Sequence, residues 1–454
     1  MSARRVHIVG IGGIGLSAIA RILIARGVSI SGSDLHASPI TDALARLGAK
    51  IFIGHRAENV GDAEIVLVTS AAPMDNPEIV EAKRRGIRIV NRYNFFPELT
   101  TGKTTIAIAG THGKTTTTAM IAAILVNAGF DPDVIVGGVV AELGGNARAG
   151  QGNYFVIEAD EYDRAFLGLR PHIAVVTSIE MDHPDIFRDV NDVARAFGEF
   201  IALVPQSGLI VGCGDAERVG RALQQANARK VRYGFDPAND WRASDIRLNA
   251  RGGSDFTVWC GSETTGDWTL EIPGAHNVLN ALAAIAVADE MEIDLQIARE
   301  TLRTFRGAAR RFQVKGEARG VTIVDDYAHH PTEIRATLAA ARARYGNRKI
   351  WAVFQPHTFS RTQALLDQFA QSFDDADHVI VTEIFAAREW NAPGISGAQI
   401  VERTKHPDAR FIAALDGCAQ YLARHLKAGD VLVTIGAGDV HRVGEIIARE
   451  GQGE

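Results

Sequence analysis

Cysteine is scarce in this chain. Cys213, Cys260 and Cys418 are the only three in 454 residues, far apart and with no Cys-x-x-Cys pair. That argues against a disulfide framework and a thiolate zinc site, and for a reducing compartment. No uninterrupted apolar run reaches 18 residues, so no membrane-spanning helix is expected. Positive charge is not in excess either: the formal net charge is −6, and the electrostatic footprint of a nucleic-acid binder is missing. Short-period repeats and low-complexity tracts are absent. Arg4-Arg5 ahead of an apolar run has the look of a secretory leader, but His7, four glycines, Arg21 and Arg26 interrupt it. The chain is therefore read as cytoplasmic. What remains is an ordinary globular composition, 46% hydrophobic and 22% charged, at a length that suggests two to four domains.

The most informative stretch is Ile106-Ala107-Ile108-Ala109-Gly110-Thr111-His112-Gly113-Lys114-Thr115-Thr116. An apolar strand over 105–109 runs into a glycine turn, then Lys-Thr, then a helical pattern over 115–126 that Gly129 stops. Glycines let backbone N–H groups approach phosphates, and a helix N-terminus adds partial positive charge. Lys114 suits the β/γ-phosphates and the Thr115 hydroxyl suits Mg²⁺. Only Thr111 and His112 separate Gly110 from Gly113, which makes this a shortened phosphate loop. A similar run, Thr101-Gly102-Lys103-Thr104-Thr105, precedes the strand instead of following it and reads as a linker.

Upstream, a strand over 6–9, Gly10-Ile11-Gly12-Gly13-Ile14-Gly15, a helix over 16–26 and a strand over 28–32 ending in Ser33-Asp34 form a β-turn-α-β unit with GxGxxG spacing. The motif alone reads as a dinucleotide site with Asp34 on a ribose, more generally as a diphosphate on a helix N-terminus, or as a tight packing turn. His55 and Ser70 follow later strands, where such sheets bind ligands.

Downstream, the strand over 154–157 ends in Glu158, with Asp160, Glu161 and Asp163 behind it. An acid at that place beside a phosphate loop reaches Mg²⁺, unless the cluster is a solvated loop. The strand over 173–177 leads to Glu180-Met181-Asp182-His183-Pro184, so His183 is a further metal candidate or an ordinary surface histidine. Asn277 and Asn280 lie one turn apart on an Ala-rich helix, placed to read a base or to cap the helix. Arg310-Arg311-Phe312 suits a phosphate contact or a solvated loop. Three more strands, over 321–324, 350–354 and 431–435, each end in a polar or Gly-rich cluster: Asp325 to Glu333, Gln355 to Arg361, and Gly436 to Val440. In an open parallel sheet those ends face one crevice.

Taken together, these motifs resemble the Mur ligase family of peptidoglycan synthesis over nearly the whole chain. The resemblance implies an α/β fold of three domains. These are an N-terminal Rossmann-like UDP-binding domain (1–104), a central P-loop ATPase domain with a mostly parallel sheet (105–313), and a C-terminal Rossmann-like domain (314–454). It turns Gly10, Gly12, Gly13, Gly15, Asp34, His55 and Ser70 into a UDP-sugar site. It places ATP on Gly110, Thr111, His112, Gly113, Lys114, Thr115, Thr116, Asn277, Asn280, Arg311 and Asp326. Thr115, Glu158 and His183 become ligands to Mg²⁺, two ions in the family's manner. Lys114, Glu158, His183, His329 and Arg361 form the catalytic group, with Arg361 near the incoming amino acid. Thr358 stands where some members carry a second arginine. Phe197-Gly198-Glu199 lacks the modified lysine of later-acting relatives, as in the alanine-adding branch.

The implied reaction joins L-alanine to the lactyl carboxylate of UDP-N-acetylmuramate. ATP first converts the carboxylate to an acyl phosphate, the amine attacks, and ADP and phosphate leave. His329 or His357 is the candidate proton acceptor. The expected partners are these three substrates, with neither nucleic acid nor membrane, in a monomer or homodimer. Rival readings are a ligase that joins a tripeptide to the same UDP-sugar, a folylpolyglutamate synthetase, an NAD-dependent dehydrogenase, and a P-loop regulator. The last two each leave one of the motif groups without a purpose.

Overall fold

The computed structural model describes residues 4–387, 389 and 394–450; the outermost residues of the first and third expected domains, 1–3 and 451–454, lie outside these. Three sheets follow one another along the chain. The first contains β1 (Arg5–Val9), β2 (Ser29–Asp34), β3 (Lys50–Ile53), β4 (Ile65–Val68) and β5 (Arg88–Val90). All its pairings are parallel, in the order β3-β2-β1-β4-β5. The order reverses at β1, and the crevice beyond that point opens at the Gly10 turn.

The second sheet has ten strands: β6 (Thr104–Ala109), β7 (Asp133–Val140), β8 (Gly145–Arg148), β9 (Tyr154–Glu158), β10 (Pro171–Val176), β11 (Leu209–Cys213), β12 (Arg229–Gly234), β13 (Trp241–Leu248), β14 (Ser254–Cys260) and β15 (Glu263–Leu270). Its order is β15-β14-β13-β12-β11-β10-β6-β9-β7-β8. The middle is parallel, and β8, β14 and β15 join it antiparallel. Ile106–Ala109 and Val175–Val176 are fully buried, as expected for strands covered on both faces. The helix Lys114–Asn127 is buried from Thr115 to Leu125. It packs against the Ala-rich helix Ala275–Glu290, which is likewise apolar nearly all round. Small side chains let the two approach, and this fixes the phosphate loop at the N-terminus of the first helix.

The third sheet holds β16 (Gln313–Ala318), β17 (Val321–Asp326), β18 (Ile350–Phe354), β19 (His378–Val381), β20 (Ala409–Phe411) and β21 (Val431–Ile435) in the order β16-β17-β21-β18-β19-β20. Only β16 is antiparallel. Asp326 and Phe354 both pair with Ile435, so β17, β21 and β18 end level. In the second sheet Glu158 pairs with Ile108 and Val176 with Ala109, so three strand ends are level there too. All the candidate loops therefore leave their sheets at one rim each.

The first two sheets meet through a buried carboxylate. Asp133, 1% exposed, accepts a hydrogen bond from Arg26 Nη2 at 2.7 Å, takes one from the Gly150 N–H at 3.0 Å and pairs with Lys103 at 3.4 Å. Arg26 also donates to the Leu99 carbonyl at 2.7 Å. Lys103, the lysine of the upstream look-alike, is thus spent on the junction. Asp133→Ala is expected to destabilise the protein by about 3 kcal/mol, the low end for breaking a buried ion pair because Arg26 keeps some solvent, read by urea denaturation. Lys103→Ala should leave the KM for nucleotide unchanged, as a linker lysine must.

Candidate active site

The phosphate loop is pressed between two neighbours. Gly110 has φ +141°, and a Cβ there would lie 1.9 Å from Thr177 Oγ1; Gly113 has φ +78°, and its Cβ would lie 2.5 Å from Asn280 Oδ1. Both positions demand glycine for conformation and for space. The Thr111 hydroxyl accepts the Glu180 N–H at 2.9 Å, and Ser178 Oγ accepts the His112 N–H at 3.0 Å. The loop is therefore tied to the segment after β10. Lys114 Nζ donates to the Gly110 carbonyl at 2.6 Å and pairs with Glu161 at 2.8 Å. Burial works against its charge, but Glu161 and Asp160 outweigh it and hold Lys114 firmly protonated. Thr115 Oγ1 donates to Glu158 Oε1 at 3.1 Å, and the Gly137 N–H donates to the other oxygen at 2.5 Å. Burial raises the Glu158 pKa in spite of Lys114, so this carboxylate gains from any cation brought beside it.

Two cavities adjoin the loop and share Gly113, Thr115, Arg311 and Glu333. The smaller, about 210 Å³, takes in His112, Thr116, Asn277, Asn280 and Asp326. Asn277 is not a helix cap: Gly274 occupies that place, and Asn277 Nδ2 donates to the Pro273 carbonyl at 2.7 Å. Asn280 bridges Asn277 and the Thr117 hydroxyl at 3.1 and 3.2 Å. Asp326 accepts the N–H groups of Phe312 and Ala328, each at 2.7 Å, and burial pushes its pKa up to about 6 against the pull of Arg311. The tandem arginines divide. Arg310 turns into the third sheet, donating to Asp325 at 3.0 Å and to the Gly436 carbonyl at 2.7 Å, while Arg311 lines both cavities.

The larger cavity, about 460 Å³, collects residues from all three sheets: Gly10, Gly13, Gly15 and Ser70 from the first; Thr111, Lys114, Thr115, Glu158 and His183 from the second; His329, His357 and Arg361 from the third. Gly12, Asp34 and His55 are not among its lining. Asp34 Oδ2 accepts the Gly12 N–H at 2.9 Å and so holds the glycine turn. His55 is pinned to Glu78, whose buried carboxylate also takes Ser33 Oγ at 2.5 Å and Asn59 Nδ2 at 2.6 Å. Burial opposes the Glu78 charge, yet His7, Ser33 and Asn59 lower its pKa to about 2. Sequence reasoning missed Glu78, since Pro77-Glu78 carries no motif.

The third-sheet rim is closely organised. His329 Nδ1 lies 3.0 Å from the Tyr327 carbonyl, which can only accept, so the proton sits on Nδ1 and Nε2 keeps its lone pair. Burial lowers the His329 pKa to about 4 despite nearby Glu333, leaving the ring neutral. Arg361, 3% exposed, is no surface arginine. Its Nε donates to Asp182 Oδ1 at 2.6 Å, its Nη1 to His357 Nδ1 at 3.1 Å and its Nη2 to His183 Nδ1 at 3.4 Å. Thr358 precedes the short helix Phe359–Ala364, which carries Arg361, at φ +67°, ψ +143°, a strained conformation for a β-branched residue. Three further contacts join the second and third sheets: His112 Nδ1 to Glu333 at 3.2 Å, Thr332 Oγ1 to Glu180 at 2.7 Å, and His330 Nε2 to the Met181 carbonyl at 3.1 Å.

Comparison with known proteins agrees in every part of the chain. Residues 5–104 match the Mur ligase family catalytic domain, 108–288 the Mur ligase middle domain, and 310–438 the Mur ligase glutamate ligase domain. The UDP-N-acetylmuramate–L-alanine ligase of Geobacter sp. (strain M21) is 46% identical over 97% of this chain and 96% of its own. That of Caldanaerobacter subterraneus is 43% identical over 98% of both. Among solved structures, the UDP-N-acetylmuramate-alanine ligase of Thermotoga maritima superposes with a TM-score of 0.85 at 31% identity, covering 99% of each chain. A murein peptide ligase of Psychrobacter arcticus gives 0.75 at 27% identity, covering 98% of this chain and 99% of its own.

The His112 contact generates a pH dependence. Burial disfavours its charge, but Glu180 and Glu333 outweigh burial and raise its pKa from 6.5 to about 9. A raised folded-state pKa contributes stability that is complete below pH 6.5 and is lost as pH rises through 9. The thermal midpoint is expected to fall over that window, and His112→Asn should flatten this part of the profile.

Proposed function

The chain belongs to the Mur ligase family, and we propose that it joins L-alanine to the lactyl carboxylate of UDP-N-acetylmuramate at the expense of ATP, in peptidoglycan precursor synthesis in the cytoplasm. The observation that carries this reading is the larger cavity. The glycine turn of the first sheet, the Lys114 loop of the second and the His329–Arg361 rim of the third all open into it. A reaction that brings a UDP-sugar, a nucleotide triphosphate and an amino acid together needs such a meeting point.

The chemistry follows from charge. A carboxylate is a poor acylating agent, and transfer of the γ-phosphate makes an acyl phosphate with a good leaving group. Both partners in that step are anionic, so cations must dominate: Lys114 on the phosphates and Arg311 between the two cavities. Thr115 and Glu158 offer the hard oxygen donors that suit Mg²⁺. His183 would join them through Nε2, since its Nδ1 faces Arg361. Bound there, Mg²⁺ would neutralise the phosphate charge, and two ions are part of this proposal. Asn277, Asn280 and Asp326 would hold the nucleoside end in the smaller cavity. Arg361, which lines the larger cavity, would take the alanine carboxylate.

The amine must lose a proton to attack. His329 is the candidate acceptor, because its bond to the Tyr327 carbonyl leaves the lone pair on Nε2; burial makes the ring a weak base, so the anionic substrates beside it would have to raise its basicity. His357 is not, because an arginine N–H can only donate, so His357 Nδ1 accepts and the proton lies on Nε2.

Phosphate release from ATP in the presence of UDP-N-acetylmuramate tests the reading, with alanine, glycine, serine or a tripeptide as acceptor. Release with alanine is expected, and release with the tripeptide alone would move the chain to the murein peptide ligases. Lys114→Ala should lower turnover by about a hundredfold or more while calorimetry finds UDP-sugar binding intact, because the two sites stand on different sheets. Glu158→Gln should raise the Mg²⁺ concentration needed for half-maximal rate.

A further inference from the structure

Asp182 is the carboxylate partner of Arg361. It stands on the segment after β10, 5% exposed, whereas Arg361 follows β18 in the third sheet. A single oxygen, Asp182 Oδ1, accepts both Arg361 Nε at 2.6 Å and the His183 N–H at 2.7 Å. His183 is held at φ +51°, an uncommon backbone conformation outside glycine, and this turn brings its N–H back onto Asp182. A guanidinium is a rigid planar fork, so fixing Nε fixes the direction of all five N–H groups. One of them, on Nη1, lies 3.1 Å from His357 Nδ1 and so keeps the His357 proton on Nε2.

We propose that Asp182 is a positioning residue for the amino-acid substrate. From the central domain it sets the direction of Arg361, and through Arg361 the tautomer of His357. The amino-acid carboxylate then finds its cation correctly aimed only when the third domain is docked on the segment after β10. This deepens the assignment of Arg361 to the alanine carboxylate and rests on it. A purely structural clasp does not account for the arrangement. Buried ion pairs add little net stability over apolar ones, and both side chains line the larger cavity as well as joining the two domains.

The shared oxygen makes the test specific. Asp182→Asn can keep both hydrogen bonds through its amide oxygen and loses the charge; Asp182→Ala loses the oxygen as well. Asp182→Ala is expected to raise the KM for alanine by about tenfold or more, on the scale of a lost charged hydrogen bond, with the KM values for ATP and UDP-N-acetylmuramate nearly unchanged. Asp182→Asn should recover most of the loss. In an Arg361→Ala background, Asp182→Ala should have no further effect on alanine, since the two act as one unit. The proposal is overturned if asparagine is as damaging as alanine, if all three KM values rise together, or if the effects of 182 and 361 are additive. Should Asp182→Ala fail to fold, Asp182→Glu gives the same contrast: the charge stays and the oxygen moves, so an unchanged KM for alanine would refute positioning. If Arg361→Ala itself leaves the alanine KM unchanged, the carboxylate site is misassigned and the positioning role falls with it.

Discussion

Charge buried at a junction between domains must be matched from the other side, and three contacts of this structure answer to that requirement. Arg26 of the first sheet meets Asp133 of the second. Arg361 of the third meets Asp182 of the second, and His112 of the second meets Glu333 of the third. Removing water from an unpaired ion costs several kcal/mol, so each of these groups is tolerable only while its partner's domain is docked. Arg361, Asp182, His112 and Glu333 also line the two cavities. Between the second and third domains, the ion pairs that hold the junction are therefore also part of the cavity walls.

Level strand ends bring the chemistry to these junctions. A parallel sheet delivers every strand's C-terminal loop to one rim, and here the rims of the second and third sheets face each other across the shared cavities. Backbone geometry also narrows the assignments. A carbonyl can only accept and an arginine N–H can only donate, and that places the proton on Nδ1 of His329 and on Nε2 of His357, two rings whose centroids are 6.0 Å apart.

Lys114 illustrates how a strongly cationic group is kept ready. Its ammonium rests on its own loop's carbonyl and on Glu161, so a phosphate entering the loop would exchange one set of oxygens for another. The neighbouring Glu158, destabilised as an anion by burial, gains from a cation at the same place. Nucleotide and divalent ion would thus enter a region where positive and negative charge are already balanced but not fully satisfied.

The sequence by itself determined what depends on local order. The three-domain α/β class came as what the resemblance to the Mur ligases implies. From its own residues the chain carried most strand and helix positions, the phosphate loop, the linker character of Lys103 and the rim positions of His329 and Arg361. These follow from apolar periodicity, glycine turns and motif spacing, all encoded within about ten residues of one another. Tertiary structure decided the rest. It turned Arg310 into the third sheet and left Arg311 at the cavities. It removed Asn277 from the capping role and committed Asp34 to the Gly12 amide. It placed a buried Glu78 behind His55, and it joined Arg361 to a carboxylate 179 positions away. Hydrogen bonding at that separation depends on which strand ends come to lie side by side, and no local pattern of residues records that.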